Sequence, residues 1–192
     1  MLALELCKFN MDGDSVLTVI ETDRLILRYL STADQEFILE LLNDPAFLRF
    51  IGDRGVRSLE DARKYITNGP MEMYARLGFG LYLVELKDGG IPIGLCGLIK
   101  RDGLNDVDIG FAFLPNYRSQ GYAYEAAAAT MAYGKDVINL QRIVAITSPD
   151  NEASGKLLEK LGMRFEKVIR LSEGAEEVKL FSTDDNFLLG GQ

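Results

Sequence analysis

Asn116-Tyr-Arg-Ser-Gln-Gly-Tyr-Ala-Tyr-Glu125 is a polar stretch between a predicted strand and a predicted helix. The strand runs from Asp108 to Phe113, and the four alanines after Glu125 strongly favour a helix. The first N–H groups of a helix have no partner within it, and the helix dipole adds partial positive charge there. Gly121 would let these groups approach a ligand closely, and Arg118 adds a charged, forked donor. The stretch therefore predicts a site for a phosphate or pyrophosphate.

Four segments of the chain carry a resemblance to a known family. Arg118-Ser-Gln-Gly-Tyr-Ala123 resembles the acyl-CoA pyrophosphate loop of the GNAT N-acetyltransferase superfamily, an Arg/Gln-x-x-Gly-x-Gly/Ala pattern. Asp108-Ile-Gly-Phe-Ala-Phe-Leu-Pro115 resembles the strand before that loop, and Asn151 to Met163 resembles the second GNAT motif. Glu21-Thr-Asp-Arg-Leu-Ile-Leu-Arg28 resembles the opening strand of the branch that acetylates N-terminal amines of ribosomal proteins. The segments occur in the family's order and cover about residues 21–183.

The periodicity of the chain predicts strands in runs with helices between them, which is a mixed α/β (α+β) fold. One helix is predicted from about Leu59 to Ala75 with Ser58 as its cap, and Ser31 is predicted to cap an earlier helix. The resemblance implies the GNAT fold, in which helices flank a mixed central sheet of about six to seven strands. It also implies two splayed neighbouring strands that admit the pantetheine arm. We expect residues 18–192 to form a single domain after an N-terminal extension, residues 1–17.

The resemblance also implies which residues bind acetyl-CoA. Backbone groups of the strand would pair with pantetheine, the loop would hold the pyrophosphate, and the second motif would reach the pantetheine amide and the sulfur. The residues concerned are Phe111, Ala112, Phe113, Arg118, Ser119, Gln120, Gly121, Tyr122, Ala123, Tyr124, Asn151 and Ser154. Ser119 replaces a frequent glycine, and Tyr124 replaces a residue that is usually small. The structural alternatives are an ordinary loop that caps an alanine-rich helix, and Asn151 and Ser154 as caps of the last helix.

Three residues are candidates for proton transfer. Asp108 shares a strand face with Asp106, and an acid on this strand is a frequent base in the superfamily. A purely structural role for Asp108 is the alternative, and Asp106 is the second candidate for the base. Ser154 would protonate the leaving thiolate, because Leu158 stands where many members have a tyrosine.

Composition excludes several classes of function. The chain of 192 residues has no histidine and two cysteines, which removes Ser-His-Asp and Cys-His catalysis and predicts no metal site. The net charge of −8 argues against nucleic-acid binding and leaves room for a cationic substrate. We find no leader peptide and no membrane-spanning apolar run, so we expect a cytoplasmic protein without membrane contact. Cys96 is predicted to be a small buried hydrophobic residue.

The resemblance implies an acetyl-CoA-dependent N-acetyltransferase that acts through a ternary complex. The acceptor would be a primary amine, either a protein N-terminus or a small molecule. The alternative is a non-catalytic acyl-CoA-binding or regulatory module with the same fold, favoured if Asp108 is buried and paired away from the thioester. The resemblance also makes a homodimer through the late strands possible.

Overall fold

One sheet of eight strands organises the computed structural model of the protein, which describes residues 17–183. The strands are β1 (Thr18–Glu21), β2 (Leu25–Arg28), β3 (Leu81–Leu86), β4 (Pro92–Ile99), β5 (Val107–Phe113), β6 (Ile143–Thr147), β7 (Arg164–Arg170) and β8 (Glu177–Ser182). Their order is β1-β2-β3-β4-β5-β6-β8-β7. The mixed sheet is confirmed, and the predicted count of six to seven was too low because the four-residue β1 also pairs into the sheet. The predicted extension lies outside the described residues except for Leu17, and Cys7 lies outside them as well.

The sheet opens between β5 and β6, which are parallel, whereas the other neighbouring strands are antiparallel. These two strands pair only at Val107↔Ile143 and Asp108↔Val144. Beyond that point, the edge of β5 that faces β6, from Ile109 to Phe113, has no neighbouring strand among residues 17–183. The sheet therefore contains the splayed strand pair that the sequence analysis expected.

Helices cover both faces of the sheet. The described helices are α1 (Gln35–Leu42), α2 (Pro45–Phe50), α3 (Leu59–Ile66), α4 (Glu72–Leu77), α5 (Tyr122–Asp136) and α6 (Glu152–Lys160). The predicted cap at Ser31 is confirmed, because its Oγ accepts a hydrogen bond from the N–H of Ala33 in a short 3-10 turn that leads into α1. Within residues 17–183, no helix is both long and apolar enough to span a bilayer.

The prediction of one continuous helix from about Leu59 to Ala75 is wrong in one respect. The chain is helical throughout this region, but a π-helical turn, Thr67–Met71, separates α3 from α4. Pro70 lies inside that turn, where it has no N–H to donate and its ring would clash in a regular α-helix. The wider π turn accommodates the proline, and such turns are frequent at functional sites.

Two apolar clusters hold the helices against the sheet. One cluster joins α5 to the sheet and includes the fully buried Ala126 and Ala127, whose small side chains let the helix lie close to the strands. The other cluster joins α1, α2 and α3 to the opposite face through residues such as Leu83 and Leu95. Cys96 is buried, as expected, and its Sγ lies 3.4 Å from the Thr130 hydroxyl oxygen. The two clusters fix the positions of the helices around the opening between β5 and β6.

Candidate active site

A cavity of about 950 Å³ lies where β5 and β6 separate. Its walls include the free edge of β5, the end of β6, the loop before α5, and residues of the helical region from α1 to α4. α6 closes one side with Asn151 and Ser154. The volume and the apolar walls with a few polar groups are typical of a small-molecule site.

The loop before α5 forms one end of the cavity, with its backbone amides unpaired. Ser119 has φ 60° and Gly121 has φ 83°, so both adopt the left-handed conformation. Arg118 N–H donates to Pro115 O, and Glu125 N–H donates to Gly121 O. The backbone N–H groups of the intervening residues, 119–124, have no hydrogen-bond acceptor among the described residues. A run of unpaired amides at a helix N-terminus can bind an anion such as a pyrophosphate.

Arg24 holds this loop from the turn between β1 and β2. Its Nη1 donates to Gln120 O at 3.2 Å, its Nε donates to Glu125 Oε2 at 2.6 Å, and its guanidinium lies 4.4 Å from the centre of the Tyr122 ring. Burial raises the pKa of Glu125, but hydrogen bonds from Thr22 and Arg24 lower it more, so the net shift is downward. The sequence alone gives no sign that Arg24 holds this loop, because no pattern within one segment relates it to a helix that begins almost a hundred residues later.

Arg118 is already bound by protein groups in this arrangement. Its Nε donates to Phe113 O at 2.8 Å, and its Nη2 donates to Asp44, which the sequence analysis also did not assign. Asp44 is buried at the N-terminus of α2, where its Oδ1 accepts from the N–H groups of Ala46 and Phe47. Arg118 therefore connects the loop to the helices on the other side of the cavity, and it still lines the cavity wall.

The free edge of β5 presents backbone groups of Phe111 and Phe113. Leu114 N–H donates to Ile93 O, and bonded pairs alternate in an antiparallel ladder, so Ala112 bonds to β4. Phe111 and Phe113 consequently direct their N–H and C=O groups towards the opening, although the Phe113 carbonyl already accepts from Arg118. An extended ligand could pair with this edge as an added strand.

Asn151 and Ser154 lie together at the start of α6. Asn151 Oδ1 accepts from Ser154 N–H at 3.1 Å, so the amide caps the helix. Both residues line the cavity. Among residues 17–183 the Ser154 hydroxyl has no hydrogen-bond partner, which leaves it able to donate to a ligand. The cap that the sequence analysis weighed as an alternative is thus present for Asn151 and does not use the Ser154 hydroxyl.

Tyr124 and Gln120 lie apart from the cavity walls. Tyr124 lines a separate pocket of about 290 Å³ between α5 and Leu161, and Lys160 Nζ lies 4.5 Å from its ring centre. Gln120 is exposed, and its side chain donates to Asn116 O at 2.6 Å. Their side chains therefore do not share the cavity with Ala123 and Ser119, which do line it.

Asp108 is buried behind Arg101. The Asp108 side chain is 1% exposed and does not line the cavity, whereas Arg101, whose Nε donates to Asp108 Oδ2, does. Burial raises the pKa of Asp108 to about 6, although the Arg101 guanidinium and the backbone amide of Ile146 act to lower it. Within the described residues no donor reaches Asp108 Oδ1 at hydrogen-bonding geometry.

Asp106, the second candidate for the base, lies elsewhere. It forms an ion pair with Arg142, with 3.2 Å between Oδ2 and Nε, and it is not part of the cavity wall. In residues 17–183 no cluster of three or more metal-ligating His, Cys, Asp or Glu side chains occurs.

Outside the loop, the cavity wall is mainly apolar and includes two arginines. Phe47, Phe50, Ile51, Tyr65 and Met73 line the cavity together with Arg54 and Arg101. Burial raises the pKa of Tyr65, and the positive charges of Arg54 and Arg101 act to lower it. The walls of the whole cavity contain arginines but neither Asp nor Glu among the described residues.

Comparisons with known proteins agree with this architecture. The family described as "Acetyltransferase (GNAT) domain" matches residues 24–164. YnaD, an uncharacterized N-acetyltransferase of Bacillus subtilis (strain 168), is 33% identical over 147 residues, which are 77% of this chain and 83% of YnaD.

Solved structures share the same fold. An acetyltransferase (GNAT family) from Bacillus anthracis is 29% identical with a TM-score of 0.71, over 87% of this chain and 98% of that one. RimL, a ribosomal L7/L12 alpha-N-protein acetyltransferase solved in complex with coenzyme A, has a TM-score of 0.72 at 19% identity, over 84% of this chain and 94% of its own. At that identity the likeness to RimL concerns the fold alone.

Proposed function

The chain belongs to the GNAT acetyltransferase family, and from that premise we propose that it transfers an acetyl group from acetyl-CoA directly to a primary amine in a ternary complex. The observation that carries the proposal is the continuity of the opening between β5 and β6 with the unpaired amides at the start of α5. A site for an extended thioester needs both features, because the pyrophosphate requires donors and the pantetheine arm requires an open strand edge.

The residues around the opening fit coenzyme A. We assign the pyrophosphate to the amides of residues 119–124, with Gly121 allowing close approach and Arg118 contributing charge from the side. The pantetheine arm would bond to the backbone of Phe111 and to the N–H of Phe113, next to the Ala112 side chain in the cavity wall. The Asn151 Nδ2 group has no acceptor among the described residues and could donate to a pantetheine carbonyl.

Bound acetyl-CoA supplies an activated acetyl group, so the protein has only to orient the amine and manage protons. We propose that Ser154 donates its hydroxyl proton to the departing sulfur and regains a proton from water in the cavity, since this hydroxyl has no partner among residues 17–183 and borders the cavity. Asp108 remains our candidate for the base: a pKa of about 6 suits proton acceptance at neutral pH. Because Arg101 separates it from the cavity, proton transfer would pass through a water molecule or require the arginine side chain to move.

The burial of Asp108 is also the feature that would favour a non-catalytic acyl-CoA-binding module. Pairing with Arg101 allows a second role for Asp108, in which it holds the arginine in place instead of accepting a proton. An amine that is already partly neutral needs no dedicated base, so this second role is compatible with acetyl transfer.

Two measurements test the proposed function together. Titration calorimetry with coenzyme A should show binding to the wild-type protein and a loss of at least tenfold in affinity for Gly121→Asp, because a side chain at a φ of 83° strains the loop and would lie against the Arg24 guanidinium that holds it. A panel of amines with acetyl-CoA, monitored by release of free thiol, should identify an acceptor. Binding of coenzyme A without turnover of any amine would favour the non-catalytic module, and equal affinity for Gly121→Asp would contradict the assignment of the loop.

A further inference from the structure

The charge of the cavity is opposite to the charge of the protein. The chain carries −8 overall, yet the charged side chains in the cavity wall are Arg54, Arg101 and Arg118, without a carboxylate among the described residues. Two of these arginines form ion pairs with carboxylates that are not part of the cavity wall, Arg118 with Asp44 and Arg101 with Asp108. A cationic acceptor such as a polyamine would therefore meet positive charge and no counter-ion inside the cavity.

Arg101 presents free donors next to the strand that we assign to the thioester. Only its Nε is used, by Asp108, so its two terminal nitrogens have no acceptor among residues 17–183. Its Nη2 lies 3.8 Å from where a side chain at Gly110 would begin. Gly110 precedes Phe111 by one residue, which is about 3.3 Å along a strand. The free end of the guanidinium thus lies within a few ångström of the backbone that would position the acetyl group.

Arg54 adds a charge that no neighbour cancels. It is exposed at the wall of the cavity, and within the described residues it makes neither an ion pair nor a hydrogen bond. Arg54 and Arg101 both line the cavity, and the positive charges of both act to lower the pKa of the Tyr65 phenol, which lines the cavity as well. Phe47, Phe50 and Ile51 line the same cavity.

From these contacts we propose that the acceptor is a small primary amine that also carries an anionic group, a carboxylate or a phosphate, and an apolar substituent. The anionic group binds to Arg101 and Arg54, and the apolar substituent packs against Phe47 and Phe50 in the wall of the same cavity. Guanidinium groups recognise such anions through paired, charge-assisted hydrogen bonds. This inference rests on the proposed function, because it describes the acceptor half of the same site.

The test compares ligands that differ only in the anionic group. N-acetyl-L-phenylalanine and its carboxamide resemble reaction products, and neither has an amine whose titration could obscure the comparison. Calorimetric titration in the presence of coenzyme A should give an affinity at least about tenfold higher for the carboxylate, as expected for a charge-assisted bond. The N-acetylated aminophosphonate of the same side chain distinguishes the two anions, and either anion binding more tightly than the carboxamide supports the proposal.

Three variants assign the effect to the cavity. Arg54→Gln should remove most of the preference for the anion. Arg101→Lys keeps a positive charge beside Asp108 but lacks the forked donor, so it should reduce the preference without leaving a buried carboxylate unpaired. Arg63→Gln, an exposed arginine of α3 that is not in the cavity wall, changes the net charge equally and should retain the full preference.

The outcomes separate this inference from the proposed function. Equal affinity for the acid and the carboxamide, or a preference unchanged in Arg54→Gln and Arg101→Lys, would overturn the anionic acceptor. Faster acetylation of spermidine than of phenylalanine would also overturn it while leaving acetyl transfer intact. A protein that does not bind coenzyme A at all would refute the proposed function, and the inference with it.

Discussion

Asp108 provides the sharpest physical test of the site, through the substitution Asp108→Asn. Asparagine has nearly the same shape as aspartate but cannot ionise, so the variant removes a single buried titration. The side chain is 1% exposed, and the pKa of its carboxyl is raised from an ordinary value of 3.8 to about 6, with burial as the main cause. The variant should therefore change how the stability of the protein depends on pH.

The sign of the pH dependence follows from the state of the protein, folded or unfolded, in which Asp108 binds its proton more tightly. The folded protein holds the Asp108 proton up to about pH 6, whereas the unfolded chain releases it near 3.8. Because the folded state binds this proton more tightly, protonation of Asp108 stabilises the folded state. This contribution to the free energy of unfolding is fully present below pH 3.8 and is lost as the pH rises through 6. The difference between the two pKa values corresponds to roughly 3 kcal/mol, of which roughly 2 kcal/mol falls between pH 4 and pH 7.

Urea unfolding at several pH values between 4 and 7 measures the contribution of Asp108 to the free energy of unfolding. The free energy of unfolding of the wild type should fall by roughly 2 kcal/mol relative to Asp108→Asn across that range. Loss of the ion pair with Arg101 also lowers the stability of the variant. Any part of that loss that is independent of pH shifts the whole curve and does not change how the free energy of unfolding depends on pH. Asp88→Asn, at the exposed hairpin turn between β3 and β4, serves as the control and should follow the wild-type curve. Parallel curves for the wild type and Asp108→Asn would refute the raised pKa and the burial on which it rests.

The same variant separates the two roles proposed for Asp108. A base contributes about 10²- to 10⁴-fold to the rate, so its loss should lower kcat by that amount and remove the rise in kcat near pH 6. If Asp108 only positions Arg101, the variant should keep the wild-type kcat and its dependence on pH, and it should raise the KM for the acceptor instead.

Three further substitutions test individual contacts. Arg118→Ala should raise the Kd for coenzyme A about tenfold by calorimetry, because a charged donor beside the pyrophosphate is lost; an unchanged Kd would leave Arg118 a structural tie to Asp44. Ser154→Ala keeps the helix cap, which uses the Ser154 N–H, so it should lower kcat several-fold in the thiol assay without changing the Kd for coenzyme A; a wild-type kcat would exclude it as the proton donor. Asn151→Ala loses the cap and should cost about 1 kcal/mol, or a fall in Tm of about 2–4 °C in a thermal melt followed by circular dichroism; an unaltered Tm would contradict the cap.

Local sequence predicted much of the fold because its signals act over a few residues. Alternating apolar residues predicted β5, and the alanine run predicted α5. The break at the π turn was missed, although Pro70 was visible, because the apolar pattern continues on both sides of it. Ser119 replaces a frequent glycine, and its φ of 60° falls in the left-handed region that single non-glycine residues can enter at some cost.

By itself, the sequence determined the order of the elements, the strand–loop–helix that presents unpaired amides, and the absence of histidine chemistry. The tertiary structure decided which side chains meet across the chain: Arg24 with Glu125, Arg118 with Asp44, and Arg101 in front of Asp108. Backbone conformation and helix capping depend on near neighbours, so the sequence records them. The sign of the charge inside a cavity depends on which distant residues fold into one wall, and only the packed sheet and helices bring those residues together.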